Sequence, residues 1–170
     1  MRAATALALV AAFTGQAVAE EAACTMTNAV YTDGELGFEL RFRRGESWEL
    51  YGMRTSVYEL KLPDGRELWG DVHTNMGTSR DIGTLYFGCD RPGMEDPDLT
   101  EAEIAECQIW KNNIYAIVDG KAAFVPNEGE AAAPSLLLAD LGRTLRYTVL
   151  TSPGEEPWDQ FTLKGCEKGN

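Results

Sequence analysis

Residues 56–73 read SVYELKLPDGRELWGDVH, and this stretch decides the fold. In its first half Tyr58, Leu60 and Leu62 alternate with polar residues, the period-two pattern of a half-buried strand. Pro63-Asp64-Gly65 then turns the chain: proline presets φ, and glycine accepts positive φ. In the second half Leu68 and Val72 share one face, and Glu67, Trp69, Asp71 and His73 share the other. Two alternating runs around a tight turn predict an antiparallel hairpin.

The same logic extends outward. Residues 37–44 (GFELRFRR) place Phe38, Leu40 and Phe42 opposite Glu39, Arg41 and Arg43. The arginines are expected on a solvated face, paired with Glu39, Glu46 and Glu49 rather than forming an anion site. Residues 24–31, 47–53 and 158–166 read as further strands. After the polar loop 74–81, residues 82–89 (IGTLYFGC) form a strand with Leu85, Phe87 and Cys89 on one face, which predicts a buried Cys89. Residues 113–118 and 121–125 make a hairpin across Asp119-Gly120, a type I′ pair. Residues 143–151 alternate through Leu145, Tyr147 and Val149 and read as a strand, whereas 135–141 suits a short helix or a buried strand equally. Thr100 and Glu103 fit a capping box that starts a helix over 101–110. The sum is mainly β: an antiparallel sandwich or barrel of about nine to eleven short strands with one inserted α-helix near 100–110. No fixed-period repeat points to a solenoid or propeller.

The ends and the bulk numbers set the compartment. Residues 1–19 have a basic start at Arg2, an apolar run from Ala6 to Phe13 and a small-residue site at Ala17-Val18-Ala19. That is a secretory signal peptide, with cleavage expected after Ala19 and a single disulfide-stabilised β-rich domain over 20–170. The rival reading is a lipoprotein ending its lipobox at Ala22-Ala23-Cys24; Glu21, which stands where a large apolar residue belongs, disfavours it. The localisation predicted is periplasmic or secreted, with no transmembrane segment. Cys24, Cys89, Cys107 and Cys166 all follow the signal peptide, so two disulfides are expected. Sequence permits three pairings; Cys89–Cys107 with Cys24–Cys166 is favoured, because it closes one local loop and ties the first strand to the last.

A formal net charge of −12 argues against nucleic acid as a partner, which needs clustered bases to replace counterions. It equally disfavours an anionic membrane surface.

The chain has one histidine, His73, and any catalytic reading centres on it. A hydrolase would use His73 with Asp71 and Ser79, but there is no G-x-S-x-G elbow, and residues two apart on a strand lie about 7 Å apart at the backbone. A metal-dependent enzyme would use His73 with Asp71 and Asp81, yet the usual facial triad has two histidines. Spacing therefore predicts no metal site and no cofactor. Calcium at Glu95, Asp96 and Asp98 lacks the EF-hand pattern. Trp69, Asp71, His73, Arg80 and Asp81 remain as a candidate recognition edge, and Trp48, Trp110 and Trp158 are further aromatics that an exposed position would turn into a contact. The expectation is an exported cell-envelope domain of binding or structural type, with a protein or small-molecule ligand and no catalytic motif. Architecture and charge are similar to those of small exported β-proteins that inhibit lysozyme, which makes a basic hydrolase an alternative partner. The S-G-x-x-Y loop of one such family is absent.

Overall fold

The computed structural model describes residues 24–50, 52–75, 77, 79–89, 91 and 100–167. The signal peptide, the lipoprotein reading of residues 22–24 apart from Cys24, and the carboxylates at 95, 96 and 98 lie outside them.

Eight antiparallel strands close into a barrel, and a ninth lies outside it. The elements in chain order are β1 (Ala29–Thr32), β2 (Glu39–Arg43), β3 (Arg54–Lys61), β4 (Glu67–His73), β5 (Ile82–Tyr86), α1 (Glu101–Cys107), β6 (Gln108–Val118), β7 (Lys121–Ala123), β8 (Ser135–Leu138), α2 (Leu141–Leu145) and β9 (Gln160–Cys166). Around the barrel the order is β1-β2-β3-β4-β5-β6-β8-β9, with β9 back against β1. Each strand pairs with its neighbours in the chain, apart from β7, which adds only a short hairpin to β6. Full closure leaves the eight barrel strands no free edge.

The predicted hairpin of residues 56–73 stands, with Tyr58 facing Gly70 and Leu60 facing Leu68. Gly65 turns at φ 89°, and its amide donates to Leu62 O. Asp119 and Gly120 both take positive φ, as a type I′ turn requires. Residues 135–138 resolve the ambiguity as strand.

Five expectations change. Of residues 24–31, read as strand, Met26–Asn28 form a short 3-10 helix in which Asn28 donates its amide to Thr25 O, and β1 starts only at Ala29. Residues 47–50 are turns, not strand, because Glu49 and Leu50 donate their amides to Glu46 O. The helix expected to 110 ends at Cys107; from Gln108 the chain is claimed by pairing with β5. Cys89 follows the end of β5 and is only half-buried, whereas Cys107 is buried. Residues 143–151 are α2 and turns, since no strand is available to pair with them. Both expected disulfides are present, Cys24–Cys166 and Cys89–Cys107, with Cα separations of 5.5 and 5.9 Å. They mark folding in an oxidising, extracytoplasmic setting. No helix among the described residues is long and apolar enough to cross a membrane.

The barrel is filled, not hollow. Tyr31, Leu40, Phe42, Tyr58, Leu60, Leu68, Val72, Leu85, Ile114, Leu136 and Phe161 form its interior with Trp110. Two glycines make room for the largest rings. A Cβ on Gly70 would overlap the Thr84 carbonyl and come within 2.7 Å of the Tyr58 ring. A Cβ on Gly83 would come within 2.6 Å of the Trp110 ring. The polar tips of both rings are satisfied: Tyr58 donates its hydroxyl to Thr84 O at 2.7 Å, and Trp110 donates its indole N–H to Ala139 O at 2.9 Å. Bare backbone on β4 and β5 thus alternates with bulk on β3 and β6, the small-against-large fit of a narrow barrel.

Overpacked cores lose about 1–3 kcal/mol, and Gly70→Ala meets backbone that cannot rotate away, so its cost is expected at or above about 3 kcal/mol. Gly83→Ala is expected nearer the middle of that range. Urea unfolding checks both; an unchanged midpoint for Gly70→Ala would contradict the packing described.

Candidate functional site

Trp69, Asp71 and His73, three of the residues singled out in the sequence, lie on β4, on the outer wall it forms with β3 and β5. A register shift between Arg54 and Ser56 brings Arg54 directly opposite His73. Asp71 faces Thr84 on β5, and Trp69 faces Tyr86. The side chains follow this register. His73 Nε2 lies 2.6 Å from Asp71 Oδ1, Thr84 donates its hydroxyl to the same oxygen, and Arg54 Nε lies 2.8 Å from Asp71 Oδ2. Backbone spacing had argued against the Asp71–His73 bond; both side chains lean along the strand far enough to close it. Trp69 stacks on Tyr86 with ring centroids 4.1 Å apart and donates its indole N–H to Cys89 O.

The turn at 46–50 folds over this wall and adds a second buried carboxylate. Glu49 accepts from Arg43 at both oxygens and from the Glu46 amide, and Arg91 lies 3.2 Å away. Arg43 and Arg91 also reach Glu59, while Arg54 donates to the Glu49 carbonyl. The arginines expected to pair with Glu39 and Glu49 do so, Arg41 with Glu39 and Arg43 with Glu49. Lys164 and Arg41 together hold Glu39 down at a pKa of about 2.

Burial works to raise the Asp71 pKa. The His73 hydrogen bond, the charges of His73 and Arg54 and the Thr84 hydroxyl more than offset it, and the carboxyl titrates below its ordinary range. The cavity left between Trp48, Glu49, Arg54, Trp69 and Asp71 is about 10 Å³, which is close to the room for one water and far below that for a substrate. This is a filled ionic seam that fastens the 46–50 turn and Arg91 to the barrel.

The other candidates are not drawn into it. Ser79 is exposed on the 74–81 loop. Arg80 stands over the rings of Phe124 and Tyr115, 5.5 and 6.0 Å from their centroids. Asp81 turns its buried carboxylate to the Val125 amide at 2.9 Å, at the lower mouth of the barrel, where desolvation raises its pKa. Asp71, His73 and Asp81 therefore do not converge, and the described residues hold no cluster of three or more His, Cys, Asp or Glu side chains suited to a metal.

The open surface lies at the opposite end from the Cys24–Cys166 disulfide. There the turns 33–38 and 62–66 meet the long segment 139–159. Leu141, Leu145 and Leu150 are buried beneath it and cap the core. Asp159 pins the segment by accepting from the amides of Asp140 and Gly142 at 2.8 and 2.9 Å. Arg66 staples it from the side, donating to the carbonyls of Val149 and Leu150 while it holds Asp64. With the inner residues fixed, Tyr147, Val149 and Trp158 stand outward at 79, 87 and 68 % exposure, with Leu36 beside them. A cleft of about 490 Å³ runs between Leu36, Leu62, Val149 and Leu150. Trp158 is tied to this end by an indole N–H bond to Glu35. Of the four tryptophans, only Trp158 is exposed; Trp110 is buried and Trp48 and Trp69 are half-buried.

The sequence did not mark this rim. Tyr147 and Val149 looked like one face of a strand. The usable signal was Gly142 before the run and Pro153 and Pro157 after it, which punctuate a loop.

No family model, no curated protein and no solved structure matches the chain.

The two carboxylates of the outer wall and lower mouth separate on substitution. Asp71→Asn leaves Arg54 buried beside a neutral partner and is expected to cost about 3 kcal/mol at neutral pH. Because the folded Asp71 carboxyl titrates below its unfolded value, its contribution is complete above about pH 4 and is lost as pH falls through the folded value. Asp81 has the opposite sign: its raised folded pKa favours folding at low pH and is a cost once pH rises through that value. Asp81→Asn keeps an acceptor for Val125 and is expected not to lower the urea midpoint at pH 7. Urea titrations of both variants from pH 3 to 7 check the pair; equal losses at neutral pH would contradict it.

Proposed function

We propose that this chain is an exported, non-enzymatic binding domain of the cell envelope, and that it recognises its partner with the rim of the barrel formed by Leu36, Tyr147, Val149 and Trp158. Export is read from the signal-peptide pattern of residues 1–19 with cleavage after Ala19, and two disulfides suit the periplasm or the exterior.

One observation carries the binding reading. Three large apolar or aromatic side chains, Tyr147, Val149 and Trp158, face solvent from a segment whose backbone is fixed on the barrel by Asp159, Arg66 and buried leucines. A pinned platform that holds aromatics in water has the anatomy of a recognition surface, where rigid Tyr and Trp lose little entropy on contact. The sole histidine, by contrast, is engaged with Asp71 in a seam with no room for substrate.

Capture of envelope proteins on the immobilised mature chain tests the reading. Tyr147→Ala with Trp158→Ala is expected to cost about 2 kcal/mol or more of affinity for whatever the wild type holds. His73→Ala is expected to retain it. Loss with His73→Ala and retention with the rim double variant would overturn the assignment.

A further inference from the structure

We propose that the partner is a basic protein, and that it seats an arginine or lysine side chain in the rim cleft, with the aliphatic stem against Leu36 and Val149 and the cationic head at Glu155. This rests on the rim being the binding surface and names the chemistry it selects.

The cleft has a mixed lining. Leu36 and Val149 stand exposed on it above the buried Phe38, Leu62 and Leu150, polar side chains complete it, and at about 490 Å³ it is larger than one long side chain needs. Long basic side chains bury their methylene stems on such exposed apolar residues while the charged end stays near water. Glu155 stands at the opening, exposed, with no side-chain partner among the described residues. Asp64 lines the same cleft. Arg66, the one base of the lining, is already engaged by Asp64 and by the carbonyls of Val149 and Leu150, so its charge is compensated in place.

Acids outnumber bases around it. The segments 33–38, 62–66 and 139–159 that make this end hold seven acids and three bases, in a chain of net charge −12; of the bases, Arg66 is engaged as above, Arg146 is paired with Glu156 at 3.6 Å, and Arg143 and Arg146 line the neighbouring groove of Tyr147 and Trp158 rather than this cleft. Glu35 lies against the edge of the Trp158 indole, so an exposed aromatic face and a carboxylate stand together. Aromatic faces attract cations, and the adjoining carboxylate adds to that attraction. An acidic or nucleic-acid partner would meet repulsion here, and so would an anionic lipid surface. Complementary charge also sets the form of the binding: faster association, and sensitivity to salt.

Three short peptides serve as probes, with leucine alternating with arginine, with glutamate or with serine. Each is titrated into the ¹⁵N-labelled mature chain and followed by NMR. The arginine peptide is expected to give saturable shifts at Leu36, Val149, Gly154 and the Trp158 indole. Its apparent Kd is expected to rise about five- to tenfold in the Glu35→Gln, Glu155→Gln double variant, and by a similar factor between low and physiological salt. Both variants lie on the exposed surface, and an unchanged far-UV spectrum confirms that they fold. Equal binding of the serine or glutamate peptide at the rim overturns the basic partner while leaving the rim as a binding surface. Shifts that map to another face for the arginine peptide, unaffected by Tyr147→Ala with Trp158→Ala, overturn both readings.

Discussion

The fit of two rings over two glycines is the constraint on which the rest of the structure depends. Tyr58 lies over Gly70, and Trp110 over Gly83, across the four paired strands β3, β4, β5 and β6. A side chain at either glycine would push a ring outward and hold β5 away from β6, and the β5–β6 pairing is what makes the sheet a barrel. The strands on either side of this join carry the rest. The β4–β5 register sets Thr84 opposite Asp71 on the outer wall, and the β6–β8 pairing brings Ala139 within reach of the Trp110 indole. That last bond fixes the start of the segment that forms the rim.

The outer wall shows why a constellation of reactive residue types is weak ground for assigning chemistry. Asp71, His73, Arg54 and Thr84 have the composition of a catalytic site, yet His73, Arg54 and Thr84 all converge on the one carboxylate and the remaining space is about 10 Å³. A buried carboxylate with several charge-assisted partners holds pieces of structure in register, here the 46–50 turn and Arg91 on the barrel. The rim has the reverse character. Its internal bonds are satisfied by Asp159 and Arg66, and what remains exposed is apolar and acidic surface without an internal role.

How much of this was legible follows from what each signal measures. Period-two alternation reads strands that present one face to a core, and so residues 37–44 and 56–73 were clear. It also reads any alternation as a strand, and so failed at residues 143–151, where Leu145 is buried and Tyr147 and Val149 are exposed for reasons of loop packing. The disulfide pairing was a preference among three, favoured because it ties the ends together and leaves a local loop, and it took the structure to choose it. The Asp71–His73 contact was not legible, because backbone spacing along a strand does not show how far two side chains reach towards each other; nor was Arg54, which a register shift of the pair β3–β4 puts opposite His73. The rim was hidden because its residues come from two segments far apart in the chain, the 33–38 turn and the 139–159 segment, which only the folded barrel brings together.

The account makes the seam at His73 structural and the rim functional. Hydrogen–deuterium exchange of the mature chain with and without its captured partner separates the two most directly. The account predicts slowed exchange confined to residues 33–38 and 145–158, with residues 71–75 and 79–81 unaffected. Protection centred on residues 71–81, with the rim unchanged, would contradict it.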